Sequence, residues 1–172
     1  TTPYFSKPIE GMLTDRAFKI NREEDKIYPQ FLSFESKLLI KEIVPDVDYL
    51  GGFSLQGSNF MGTGSNDVPA KISLKRNGTV FITAKAPLII VTPQKITIQK
   101  SETALFLKSG DSLYHPGLDF NYDLEKKSVQ MVRTKNGIGE SPFQDSYHQL
   151  DIYAPKLNWI VGTDLLDFTY EF

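Results

Sequence analysis

Four aromatic side chains in the second half of the chain are the residues best suited to bind a ligand. They are Tyr114, Tyr147, Tyr153 and Trp159, which is the only tryptophan. Each lies near a turn-rich segment, and aromatic rings on a protein surface can stack on sugar rings. Tyrosine and tryptophan also pack at the rim of the core in many β proteins. We predict these four as candidate ligand-binding residues, and we predict no catalytic residue.

A serine, a histidine and an aspartate occur close together as Ser146, His148 and Asp151. A nucleophilic triad needs a base that reaches the serine and a third group that orients the base. On a single strand Ser146 and His148 would share one face, whereas Asp151 would point to the other. The spacing does not favour hydrolase chemistry. We therefore predict that the chain is not an enzyme.

A second polar group has the spacing of a helical metal site. Asp111, His115 and Asp119 recur at intervals of four residues, but Pro116 and Gly117 exclude a continuous helix between them. Local hydrogen bonding in a turn is the simpler interpretation.

Two further patterns are incomplete as binding sites. Asp46 and Asp48 could offer two carboxylates to calcium, but no further oxygen ligands are spaced around them. Gly62 and Gly64 lack the downstream glycine and lysine of a phosphate-binding loop. The chain also has no cysteine, so thiolate ligands are excluded. We predict no metal site and no cofactor.

The composition limits the classes of partner. The net charge is −2 and the sequence pI is about 5.7, so the basic surface expected of a nucleic-acid-binding protein is missing. No apolar run approaches the roughly eighteen residues that a membrane-spanning helix needs. We expect neither a nucleic-acid partner nor a transmembrane segment.

Short segments of alternating apolar residues predict the fold. They are rich in β-branched and aromatic residues and are separated by turn signals every eight to twelve residues. The segments are residues 71–74, 80–83, 88–91, 96–98, 105–107, 118–122 and 129–132. This pattern predicts an all-β fold, either an antiparallel or solenoid-like sheet assembly or a β-jellyroll.

The chain divides by composition near residue 50. Residues 1–50 are predicted to be an irregular N-terminal segment with one or two strands, and residues 51–172 a β-rich domain. Residues 31–44 fit either a helix or a strand, and Pro45 favours the strand. The chain starts without methionine and ends within an alternating apolar pattern, so we expect it to be an internal section of a longer protein.

A weak internal similarity suggests repeats. Residues 82–91 and 152–161 share the order of a strand, an alanine, a lysine with a proline, and a second strand. Leu105, Val129 and Tyr153 also recur at intervals of 24 residues. Repeats with β content are typical of solenoid coils or stacked hairpins.

Three segments carry a resemblance to a known class of protein. They are residues 51–60 (GGFSLQGSNF), 110–120 (GDSLYHPGLDF), and 146–153 (SYHQLDIY), which lead to Trp159. Together they resemble sections of the very long exported proteins of Bacteroidota, for which no activity is assigned. The resemblance spans most of the chain. It implies a piece of a large envelope or surface protein and provides no catalytic residues.

A second resemblance is confined to residues 110–133. The sequences DSLY, LDFNYD and KKSV there are similar to repeats of lipopolysaccharide-transport proteins of the OstA type. That resemblance implies an open β-jellyroll whose groove holds acyl chains.

Three functions follow as expectations. The first is a non-catalytic structural or interaction module of an exported cell-envelope or cell-surface protein, whose partners are other domains of the same polypeptide or envelope proteins. The second is a lipid carrier with an apolar groove lined by Leu88, Ile90, Leu105 and Leu107. The third is a glycan-binding module that uses the four aromatic residues.

Overall fold

The described part of the chain is an all-β fold built on a large antiparallel sheet, as the alternating segments predict. The computed structural model describes residues 5, 7–15, 29–57 and 59–170. Within these ranges there is no α-helix, and one 3-10 turn lies at Gly137–Glu140. No helix there could cross a membrane. The strands are β1 (Gly11–Thr14), β2 (Gln30–Ser33), β3 (Leu38–Val44), β4 (Val47–Gln56), β5 (Asn59–Thr63), β6 (Ala70–Arg76), β7 (Thr79–Ala86), β8 (Leu88–Val91), β9 (Lys95–Phe106), β10 (Ser112–Asp123), β11 (Ser128–Val132), β12 (Phe143–Asp145), β13 (Leu150–Ile152), β14 (Lys156–Ile160) and β15 (Asp167–Thr169).

The predicted boundary near residue 50 falls inside a strand. β4 runs continuously across it, and β1, β2 and β3 all lie within the segment predicted to be irregular. Residues 31–44 form β2 and β3, so the strand interpretation is confirmed and the helix alternative is excluded. Asp46 adopts a φ of 63° in the tight turn between β3 and β4.

Three long strands, β4, β9 and β10, divide the sheet into two layers. The first layer contains β3, β6, β7, β12 and β13, which pair with the first halves of β4 and β10 and the second half of β9. The second layer contains β1, β2, β5, β8, β11, β14 and β15, which are built around the other halves. Each long strand therefore ties the two layers together through its own backbone.

The inner faces of the two layers contact each other. Tyr49 of the first layer meets Phe60 of the second edge to face at 5.4 Å. Farther along the sheet, Phe143 and Phe168 meet in the same way at 5.7 Å. These rings belong to, or pack against, one core cluster that extends from Leu38 to Leu157.

Around the first half of this core, the strands close into a circuit. β4 pairs with β6, β6 with β7, and β7 with the second half of β9. The first half of β9 pairs with β8, β8 with β5, and β5 with β4 again. Every strand of this circuit therefore has a neighbour on both sides, so its inner residues are sealed from water.

Two glycines, Gly51 of β4 and Gly62 of β5, make room for one buried tyrosine. A Cβ on Gly62 would lie 2.4 Å from Cε2 of Tyr49, and a Cβ on Gly51 would lie 2.4 Å from the Tyr49 hydroxyl. That hydroxyl donates to the carbonyl of Gly52. Burial raises the pKa of Tyr49, which keeps the phenol protonated. Gly62 and Gly64 therefore do not form a phosphate-binding loop.

Bulges let β9 and β10 keep one face inward along their whole length. Lys100 has a φ of 51°, and the β9–β10 register shifts on either side of Leu118. Ile98 is buried before the bulge and Leu105 after it, although strict alternation from Ile98 would turn Leu105 outward. The extra residues restore the inward face as each strand passes from one layer to the other.

The six strands from β3 to β8 and the six from β9 to β14 are two copies of one arrangement. In each copy the first strand forms a hairpin with a long second strand. The third strand then pairs with the second half of the long strand, and the fourth strand pairs with its first half. The fifth strand pairs with the fourth and the sixth with the third. We call these copies repeat 1 and repeat 2.

The internal similarity predicted from sequence is confirmed at the corner of each repeat. Pro87 joins β7 to β8, and Pro155 lies between β13 and β14, where the chain crosses between layers. The carbonyl of Pro87 accepts from the N–H of Gly64 at 2.8 Å, and that of Pro155 accepts from the N–H of Arg133 at 2.8 Å. The 24-residue spacing was wrong as a period, because its three residues lie at different places in the repeats.

One row of paired residues runs across ten strands of the second layer. It joins the two repeats without interruption, and the strands at its ends, β1 and β15, add to repeats 1 and 2 respectively. The row is Met12, Leu32, Ser54, Met61, Ile90, Thr97, Asn121, Gln130, Asn158 and Asp167.

Candidate interaction site

The hairpin of β12 and β13 forms the far end of the first layer. β12 pairs with β10 through Leu113 and Tyr114, and β13 pairs with β12. Among the described residues, no strand pairs with the other side of β13. We call this side of residues 150–152 the open edge.

The corresponding strand of repeat 1 is covered at this place. β7 pairs with β6 on one side and with the second half of β9 on the other. There Ile82 faces Leu105 and is 0% exposed. Leu150, which holds the same position in β13, is 54% exposed. The open edge is therefore an apolar position that is sealed in one repeat and uncovered in the other.

Tyr114 lies on the outer side of the first layer, between β9 and β12. It is opposite Ala104 of β9 and Gln144 of β12. Burial raises the pKa of its hydroxyl, and the negative charge of Glu102 adds to the effect. Tyr114 also lines a depression of about 290 Å³ together with Asp151.

Tyr147 and His148 occupy the turn between β12 and β13. Tyr147 is 58% exposed, and its ring meets that of His148 edge to face at 4.7 Å. Nδ1 of His148 lies 2.7 Å from Oδ2 of Asp145. Burial pushes the pKa of Asp145 upward, but hydrogen bonds from His148 and from the N–H of Tyr147 hold it below its ordinary value. This turn is thus fixed by Asp145.

Tyr153 follows β13 and is 63% exposed. The guanidinium of Arg133 lies 5.6 Å from the centre of its ring, within the range of a cation–π contact. The same guanidinium donates to the carbonyls of Ser141 and Tyr153, both at 2.6 Å, and to that of Glu140. Arg133 therefore ties the end of β11 to two other backbone segments, residues 140–141 and Tyr153.

Trp159 is a packing residue on the inner side of β14. Its ring meets Phe81 of β7 edge to face at 5.4 Å, and its Nε1 donates to the carbonyl of Thr163 at 3.0 Å. It links the two layers near the joint of the repeats.

The structure does not bring the four predicted aromatic residues into one platform. Tyr114, Tyr153 and Trp159 line three different depressions, of about 290, 310 and 360 Å³ respectively. Tyr147 lines none of the three.

Ser146, His148 and Asp151 do not assemble into a triad. The hydroxyl of Ser146 donates to Oδ1 of Asp111 at 3.2 Å and accepts from the N–H of Ser112 at 2.9 Å. The imidazole of His148 is bonded to Asp145 instead. The serine therefore has no histidine beside it to act as the base of a triad.

Asp111 and Asp119, two of the three residues with the spacing of a helical metal site, bind different partners in the structure. Asp111 bonds the hydroxyl of Ser109 in its turn, and Asp119 accepts from the N–H of Lys100 at 3.3 Å. In the other predicted pair, Asp48 binds Nζ of Lys75 at 2.8 Å. Within the described ranges, no three His, Asp or Glu side chains are placed to share a metal ion.

His115 is buried between the two layers and is 1% exposed. The N–H of Gly117 donates to its Nδ1 at 3.0 Å, so the ring proton is on Nε2, which donates to the carbonyl of Ser141 at 2.8 Å. Burial lowers the pKa of His115, and the positive charge of Arg133 lowers it further. The imidazole is therefore held neutral.

The predicted apolar groove is not formed by its four residues. Leu88 and Ile90 face outward from β8, whereas Leu105 lies in the sealed core with 3% exposure. Leu107 is partly buried against the core. A different apolar cavity, of about 500 Å³, lies at the N-terminal end beside Phe31.

The residues that define this end of the molecule were not all visible in the sequence. Arg133 acts on backbone carbonyls, which no side-chain pattern reveals. Leu150 lies outside residues 152–161, and only the strand registers identify it as the counterpart of Ile82.

Comparisons with known protein families, with curated proteins and with solved structures give no match.

We expect Arg133→Met to destabilise the protein by about 2 kcal/mol, the range of hydrogen bonds made by a charged donor. Methionine keeps the stem of the side chain but removes the donor to the carbonyls of Glu140 and Tyr153, and one of the two donors to the carbonyl of Ser141. Urea unfolding measures the change. Arg76→Met, at an exposed arginine that ends β6, is the matched control and should cost less than about 0.5 kcal/mol. Equal losses in the two variants would contradict a clamp at Arg133.

We expect the unfolding free energy to fall as the pH drops below 6.5, the ordinary pKa of histidine. Because the pKa of His115 is lowered in the folded protein, the unfolded chain binds the proton more readily and gains stability from it. The loss is complete below the folded pKa. Urea unfolding from pH 7.5 to 5 should show this slope in the native chain and in His148→Gln, and a smaller slope in His115→Gln. An unchanged slope in His115→Gln would assign the effect to other groups.

Proposed function

We propose that this chain is a non-catalytic structural and interaction module in which β repeats stack edge to edge. Its partners would be other domains of the same polypeptide or neighbouring envelope proteins. The resemblance of three of its segments to very long exported proteins of Bacteroidota supports a place in the cell envelope or at the cell surface.

The observation that carries the proposal is the joint between the two repeats. β7 and β8 of repeat 1 both pair with β9 of repeat 2, so repeat 2 extends both layers of repeat 1. The joint buries Ile82 against Leu105 and adds an ion pair of 3.0 Å between Lys85 and Glu102 on the outer side. A joint made of backbone hydrogen bonds and apolar contacts can form in the same way between each repeat and the next.

The polar groups that suggested chemistry support the same function. His115, Asp145 and Arg133 each bind backbone groups, and in doing so they fix turns and strand ends. Their bonds organise repeat 2 and leave it as a rigid stacking unit.

If repeats stack through this joint, a chain carrying residues 92–160 twice in tandem should fold as one longer stack. In urea we expect a single transition with a higher midpoint, because each repeat adds its own stability and one interface. The m-value should rise by roughly half, since it scales with the surface exposed on unfolding.

The control for this experiment is the same duplication with Leu105→Lys in the inserted copy. It places a charge in the sealed joint and should remove the gain in midpoint. Two separate transitions in the unmodified duplication, or an unchanged midpoint, would show that the repeats do not stack as a unit.

A second candidate function, carriage of an apolar ligand, is favoured by the cavity at the N-terminal end. This cavity of about 500 Å³ is lined by apolar side chains that include Phe31, Phe53 and Leu55, with Lys7 beside them. An acyl chain would suit the apolar lining, and Lys7 would suit an anionic head group.

Native mass spectrometry of the protein purified from its own envelope tests this second function. A carrier should retain a lipid adduct, and Leu13→Lys, which alters an exposed residue of the cavity, should reduce it. Leu39→Lys changes a leucine of similar exposure outside the cavity and should leave the adduct intact. A mass without lipid, or increased only by a protein neighbour, would exclude carriage.

A further inference from the structure

We propose that the open edge of β13 receives an extended strand from a further repeat of this class, in the register that β9 adopts on β7. This inference rests on the proposed function and names the partner of one surface. The partner is a strand whose inward side chains are apolar or small, as in residues 101–106.

The joint within the chain defines how such a strand would lie. β7 meets β9 with Ile82 opposite Leu105 and Lys85 opposite Glu102. On β13 the same register places an apolar residue of the incoming strand opposite Leu150. The incoming backbone would also satisfy the N–H and C=O groups on the free side of β13.

Burial shows that this surface is built as a joint. Leu150 is 54% exposed, while its counterpart Ile82 is fully sealed by β9. An exposed leucine on an unpaired edge is unfavourable in water, and it becomes favourable once a strand covers it. Burying Leu150 is therefore a source of binding energy for the incoming strand.

The edge has only some of the features that usually prevent strand addition. Natural sheets protect free edges with short strands, charged side chains, proline or a bulge. β13 is short and carries Asp151, but it has no lysine, proline or bulge. β13 has the sequence Leu-Asp-Ile and pairs regularly with β12, and Tyr153 follows it. Pro155 comes only at the corner, in the same place as Pro87 of the covered strand.

The second layer fixes the length of the incoming strand. β15 pairs with β14 as the first half of β9 pairs with β8, and Phe168 packs on Phe143 at 5.7 Å. In β9 the chain continues from that position across the bulge and runs along β7. Because β15 already holds the place of the first half of β9, the incoming strand corresponds only to the second half, residues 101–106.

A graft tests the inference on the full chain. A second copy of residues 101–106 replaces the last two residues and comes directly after Tyr170. The copy then follows β15 in the same way that the original residues follow the first half of β9. We expect amide hydrogen exchange in residues 150–153 to slow by roughly tenfold or more, because unpaired edge amides become hydrogen-bonded. The same graft with Thr103→Pro is the matched control, since proline cannot join the ladder, and it should give no slowing.

Two further measurements separate the outcomes. In the grafted chain, Leu150→Lys should reverse the slowing, whereas Leu88→Lys, at an exposed leucine of β8, should not. If amide exchange at residues 150–153 of the grafted chain is unchanged while β7 is protected as expected of a covered strand, the inference is overturned. Concentration-dependent dimers of the ungrafted chain that protect β13 would overturn it too, since they assign the edge to a second copy. The tandem duplication tests the stacking of repeats separately from the graft. If the duplicated chain stacks but the graft gives no protection at β13, strand addition is rejected and the proposed function is kept.

Discussion

The whole structure depends on long strands that serve two layers without turning their inner face outward. β9 pairs with β8 at one end and with β7 at the other, so it must pass from one layer to the other. The bulge at Lys100 allows the change, and Pro116 and Gly117 allow it in β10 at the same level. Without these extra residues Leu105 would face water and the circuit around the first core could not be sealed.

Two of the three long strands, β4 and β10, also place one polar side chain in the core near the bend. Tyr49 of β4 and His115 of β10 lie two residues after the inward positions of Val47 and Leu113. Both donate to a backbone carbonyl inside the protein, and both remain neutral because burial disfavours their charged forms. A buried carbonyl without a donor would cost more than the side chain that satisfies it. The polar core residues are therefore part of the bend rather than part of a reaction centre.

The strands were predictable because the two-residue alternation and the turn residues that define a strand lie within the strand and its flanks. The similarity of residues 82–91 to residues 152–161 also indicated the repeat. The boundary predicted at residue 50 falls inside β4, whose pairing with β3 and β5 is set by residues outside the local pattern. Ser146 and His148 have the residue types of a triad, but the serine binds Asp111 of a distant turn and the histidine binds Asp145 of its own turn. The clamp at Arg133 is formed by backbone carbonyls, so its geometry exists only after folding.

The two repeats differ at the open edge, where no strand among the described residues pairs with the other side of β13. At the inward position next to the open edge, Leu74 of repeat 1 is replaced by Asp145, which is largely buried and bound to His148. A polar residue there suits a terminal repeat, whose outer surface must tolerate water. Leu150 beside it is apolar and exposed, which suits an internal repeat. The end of repeat 2 therefore combines an inward position suited to water with an apolar position that would gain from being covered, as the proposed strand addition requires.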